Sequence, residues 1–97
     1  MSVKKQYNFN YAFVVYDVNE KRVAKVFKVC KKYLSHFQKS VFRGDITPSK
    51  LISLKQNLKK VINEDEDFIC IIKLINDSVF EEEIMGGKPQ NGEDLIL

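Results

Sequence analysis

A single carboxylate, Asp17, closes the apolar run Tyr11-Ala-Phe-Val-Val-Tyr16 near the start of the chain. An acid in that place is commonly a turn former or a cap. Its chemical alternative is a hard-metal ligand. Magnesium takes carboxylate oxygens plus waters, neutralises phosphate charge and supplies hydroxide for phosphodiester hydrolysis. One carboxylate per chain is a thin donor set, but a twofold axis near this segment would pair Asp17 with its symmetry mate. A second set of residues suits the same substrate. Lys21, Lys25, Lys28 and Lys32 recur at helical spacing and share one side of a helix. Like charges so placed repel by about 0.2–0.5 kcal/mol per neighbouring pair. A row of phosphates would offset that cost; a solvated helix face is the simpler reading.

Other chemistries find no support in the sequence. The four glycines stand at 44, 86, 87 and 92, so there is no glycine-rich phosphate loop. His36 is the one histidine and its neighbour Ser35 makes a sequence pair, not a hydrolase triad. One histidine and two cysteines cannot complete a structural zinc site from a single chain. Cys30 and Cys70, each among apolar residues, are expected to be small buried side chains. Arg43-Gly44-Asp45 matches an adhesion tripeptide by chance. An RNA-recognition motif needs aromatics after its Arg/Lys-Gly pair, and here Asp45 follows.

Charge points to a polyanion. Residues 1–60 hold fourteen Lys and Arg against three acids, a net of +11. Residues 61–97 hold two lysines against ten acids, a net of −8, so the overall +3 hides a basic body and an acidic end. A basic body suits nucleic acid. The longest apolar run is six residues, far below the roughly 20 of a membrane span. It is also too short for a secretory signal, so no membrane association and a cytoplasmic location are expected.

The elements that must position these residues follow from periodicity. Residues 11–16 are β-prone and apolar on both faces, as in a central strand. Tyr11, Phe13 and Val15 share one face; Ala12, Val14 and Tyr16 share the other. Asn19 suits an N-cap, and Glu20 to about Leu34 reads as a helix burying Val23, Phe27, Cys30 and Leu34. Residues 37–46 read as one strand or a short pair, with Gly44 marking a bulge or turn. Thr47 and Pro48 open a second helix as N-cap and first residue. It buries Leu51, Leu54, Leu58 and Ile62 and exposes Lys55, Lys59 and Lys60. Asn63–Asp67 is a charged connection, Phe68–Ile75 another strand, and 79–85 a short extra strand. The order βαββαβ predicts an α+β, ferredoxin-like domain over residues 1–86, with an antiparallel sheet and a mobile tail at 87–97. Both helices lie on one side of the sheet, so its other apolar face calls for a second copy and a homodimer.

Three segments carry a family resemblance: Tyr16-Asp17-Val18, Lys21-Arg22-Val23-Ala24-Lys25-Val26, and Gln38-Lys39-Ser40-Val41-Phe42-Arg43-Gly44-Asp45-Ile46-Thr47-Pro48. They resemble the small CRISPR-associated endonuclease family, the second of the two near-universal Cas proteins, over roughly residues 10–86. The resemblance implies a ferredoxin-like homodimer in which each last strand extends onto the partner's sheet. It implies a catalytic, metal-binding aspartate at the dimer interface, which falls on Asp17, with Mg2+ or another divalent cation as cofactor. It places Tyr16, Arg22, Ser40 and Phe42 near that aspartate. It further implies partnership with the CRISPR integrase, two dimers of which this protein would bridge along captured duplex DNA. Many relatives carry an arginine where His36 or Phe37 stands here. Relatives often carry an acid where Arg43 stands, and its charge joins Lys21, Lys25, Lys28 and Lys32 toward nucleic acid. Two function classes remain open: a magnesium-dependent endonuclease on RNA or DNA, and a catalytically idle adaptor of the integration complex. A toxin-like ribonuclease of similar fold is a more distant alternative that gene neighbourhood would separate.

Overall fold

The strand at Tyr11–Asp17 (β1) is the centre of a five-stranded sheet, as its doubly apolar sequence requires. In the computed structural model, residues 9–76 and 79–86 are described, with residues 76 and 79–82 described by their backbone alone. Helix α1 spans Glu20–Lys31 and helix α2 Pro48–Val61. Strands β2 (Ser35–Gln38), β3 (Val41–Asp45), β4 (Phe68–Asn76) and β5 (Val79–Gly86) complete the order. The sheet runs β2-β3-β1-β4-β5, antiparallel throughout. This is the ferredoxin-like arrangement with one added edge strand. The expected tail at 87–97 lies outside the described residues.

Both helices begin where their caps place them. The Asn19 side chain accepts from the Lys21 amide at 2.8 Å, and Thr47 Oγ1 accepts from the Lys50 amide at 3.2 Å. Ala12, Val14 and Tyr16 of β1, with Phe42, Ile69, Ile71 and Met85, pack against Val26, Cys30, Leu51, Leu54 and Leu58 from the helices. Cys30 and Cys70 are buried, as expected, and burial pushes the Cys30 thiol up to about 12.

Three local expectations are corrected. Residues 35–45 form two strands, one of the two readings left open, and Gly44 does not mark the turn between them. Their turn falls at Lys39, whose φ of +39° no glycine announces. Gly44 lies inside β3 opposite Ala12, and the register shift sits instead in β2 between His36 and Gln38. Helix α1 is rotated from the expected stripe: Val23 is 39% exposed, and Val26 with Cys30 forms the buried line. Arg22, the neighbour of Val23, reaches instead to the acids that precede β4. Lys55 does not stand on the solvated side of α2, since it pairs with Glu83 at 2.7 Å.

Strand β5 pairs with β4 of its own chain, from Phe68 opposite Gly86 to Asn76 opposite Val79. The sheet face away from the helices carries Tyr11, Phe13 and Val15, with Cys70, Ile72, Leu74 and Ile84 beside them in register. Ile84 is 55% exposed there.

Candidate active site

Asp17 is the last residue of β1, exposed, and opposite Phe68 on β4. Side chains alternate along a strand, so Asp17 shares the face of Phe13 and Val15, the one the helices leave open. It ends an apolar row at the edge of that face.

Tyr16, Ser40 and Phe42 surround the same strand end from the other side. Tyr16 is 4% exposed, and its ring stacks on Phe42 with centroids 6.2 Å apart. Phe42 meets Phe27 edge-on at 5.1 Å. The Tyr16 amide donates to the Ser40 carbonyl at 3.1 Å, tying the β2–β3 turn to β1. Burial, then the neighbouring Cys30, raises the Tyr16 phenol above its ordinary value, so it stays neutral. These three residues brace the strand end, and Asp17 presents the carboxylate.

Arg22 pairs with the acids that precede β4. Its Nε donates to Asp67 Oδ2 at 2.5 Å, and its Nη2 donates to Asp67 Oδ1 at 3.1 Å and to Glu66 Oε1 at 2.7 Å. Asp67 is fully buried and also accepts from the backbone amides of Asn19 and Asn63, each at 2.8 Å. Burial alone would raise its carboxyl; Arg22 and the two amides outweigh burial and hold it below the ordinary value. The same pairing holds the Arg22 guanidinium more firmly protonated than usual. Sequence reasoning passed over Asp67 as part of a charged connection. The available signal was its place directly before the apolar start of β4, where a carboxylate has to be paired.

The basic residues divide between two surfaces. Lys21, Lys25 and Lys28 are exposed on α1, and Lys32 is exposed just past its end. Arg43 is opposite Phe13 and so on the open sheet face, its guanidinium carbon 3.9 Å from the Phe37 ring centroid. Glu83 joins Lys55 to Lys73 between α2 and the sheet. Burial raises the Glu83 carboxyl, but the two lysines outweigh this and lower it overall.

Among the described residues, no three His, Cys, Asp or Glu side chains gather as a metal site. The exposed Asp17 carboxylate is a suitable hard ligand for magnesium, which keeps several waters and needs only one or two carboxylates. Its chemistry therefore fits a divalent cation that keeps most of its waters. Among the described residues, no helix is long and apolar enough to cross a membrane.

Comparison with known proteins agrees with the fold and with the family resemblance. The family model for CRISPR associated protein Cas2 matches residues 10–83. The CRISPR-associated endoribonuclease Cas2 of Thermotoga maritima is 42% identical over 87 residues, covering 90% of this chain and 98% of that protein. A CRISPR-associated endoribonuclease Cas2 of Archaeoglobus fulgidus is 39% identical, covering 89% and 95% respectively. A crystal structure of a Cas2 protein, 33% identical, covers 91% of this chain and 98% of its own with a TM-score of 0.65.

Proposed function

The chain belongs to the Cas2 family of CRISPR-associated proteins, and we propose that it is a divalent-metal-dependent endonuclease of the CRISPR system that uses Asp17. The observation that carries this reading is the exposed Asp17 carboxylate at the end of β1, on the apolar face that neither helix covers. Relatives named as endoribonucleases support phosphodiester cleavage as the reaction.

The apolar face is best covered by a second copy, which brings the two Asp17 carboxylates toward one axis. Together they would hold magnesium or another divalent cation, which supplies charge neutralisation and an activated water when bound. Asp17 binds and orients; Tyr16, Phe42 and the Ser40 carbonyl keep the strand end in place; the apolar face excludes water around the shared site. The protein should elute at about twice its 11.3 kDa mass, and removing residues from Val79 onward should weaken that dimer. A well-folded monomer at micromolar concentration would remove the shared site. The direct test of the reading is cleavage of single-stranded RNA and of duplex DNA with magnesium and with chelator. Cleavage that ignores chelation would overturn it.

A second reading is favoured by the exposed lysines on α1, which lie on the helix layer while Asp17 lies on the open sheet face. On this reading the protein is a structural subunit in the cytoplasm, holding duplex DNA on α1 and bridging CRISPR integrase. Lys25→Glu with Lys28→Glu should then weaken duplex binding of every sequence alike and flatten its salt dependence, because fewer counterions are released. Filter binding across a salt series reads this directly. Unchanged affinity in the double variant would make the ridge a solvated face.

A further inference from the structure

We propose that Asp67, clamped by Arg22, is a positioning residue that holds the Asp17 carboxylate where a shared cation needs it. This rests on the reading of Asp17 as a metal ligand. The backbone of Asp17 is restrained from two directions, one ending on the buried Asp67 carboxylate and the other on the residue that follows it. Along the chain, Asn19 lies two residues beyond Asp17, and its amide donates to Asp67 Oδ1 at 2.8 Å. Across the sheet, Asp17 is opposite Phe68, the residue that directly follows Asp67.

Each oxygen of Asp67 is used twice. Oδ1 accepts from Asn19 and Arg22 Nη2; Oδ2 accepts from Arg22 Nε and from the Asn63 amide. The carboxylate thereby joins the β1–α1 turn to the α2–β4 turn. The start of α1 has its own cap in the Asn19 side chain, so Asp67 is not required to begin that helix. What it adds is a fixed spacing between the turn after Asp17 and the strand beside it. Gly86 closes the arrangement from β5, its backbone lying so near that a Cβ there would be 1.7 Å from the Asp67 carbonyl oxygen. A cation shared by two exposed carboxylates depends on such spacing, since a strand end that frays by an ångström separates its ligands.

The test is Asp67→Asn, which keeps size and one accepting oxygen but loses the charge that binds Arg22. Mn2+ binding to the full-length protein without nucleic acid is read from the EPR signal of the free ion. Cleavage is followed against metal concentration in parallel. Affinity for Mn2+ should fall about 10-fold or more, as groups that orient metal ligands typically require. The metal concentration for half-maximal cleavage should rise in step, with the dimer intact by elution volume. A folded, dimeric Asp67→Asn protein with wild-type Mn2+ affinity would overturn the proposal. Where that variant does not fold, Arg22→Lys carries the test, because it keeps the charge and loses the planar two-point grip. Wild-type Mn2+ affinity in Arg22→Lys would then overturn it. Asp17→Asn separates the two layers of the argument. Mn2+ binding equal in wild type and Asp17→Asn overturns the metal reading and this proposal together. Binding that depends on Asp17 but ignores Asp67 overturns this proposal alone.

Discussion

Asp17→Asn is expected to abolish metal-dependent cleavage while leaving fold, dimer and duplex binding in place. The substitution keeps the shape of the side chain and removes one of the few anionic oxygens offered to the cation. Its structural cost should be below about 0.5 kcal/mol, the range for exposed surface substitutions. Asp17 is exposed at the end of its strand. Cleavage should fall by about 100-fold or more, because the cation supplies both charge neutralisation and the nucleophile. Wild-type and Asp17→Asn proteins should be run together in cleavage and in spacer integration with the integrase. Cleavage that persists in the variant would place the chemistry elsewhere. Integration that survives would mean that the lysine-bearing helix layer, not Asp17, serves acquisition; lost integration with an intact dimer would tie acquisition to the carboxylate.

Gly86→Val should be the most destabilising single change at this end of the sheet. Gly86 has a φ of +96°, and a Cβ built on it would lie 1.7 Å from the Asp67 carbonyl oxygen and 3.2 Å from Phe68 Cα. The obstacle is backbone at the start of β4, which cannot rotate aside like a side chain. Left-handed strain in a β-branched residue alone costs about 1–3 kcal/mol. Relieving the clash would also pull β5 from β4 or displace Asp67 from Arg22. For a domain of this size each kcal/mol lowers the melting temperature by about 4–8 °C, so a loss of about 10 °C or more is expected. Calorimetry or thermal denaturation followed by circular dichroism measures it. A melting temperature within about 2 °C of wild type, on the same scale, would mean that the end of β5 is not seated against Asp67.

Much of the architecture was legible because it is written in short-range patterns. Six apolar residues in a row made β1 central, and their alternation set Tyr11, Phe13 and Val15 against Ala12, Val14 and Tyr16. Asn19, Thr47 and Pro48 marked both helix starts through groups within a few residues of them. The lysines of α1 were exposed as their spacing predicted. Asp17 stood out as an acid ending an apolar strand.

Tertiary structure alone decided the rest, because the deciding partners are far apart in sequence. Arg22 and Asp67 are 45 residues apart, and nothing local to either shows that they meet. Val23, beside Arg22, is 39% exposed although the helical period placed it inside. The turn at Lys39 has no glycine or asparagine to announce it. It forms where pairing of β3 with β1 brings the Ser40 carbonyl to the Tyr16 amide. Gly86 looks like any glycine near a chain end until β5 folds back on β4 and meets Asp67. Periodicity and caps determine which segments become strands and helices, since those energies are local. Which charges become buried, and which backbone atoms touch, depends on packing between segments that the sequence holds apart.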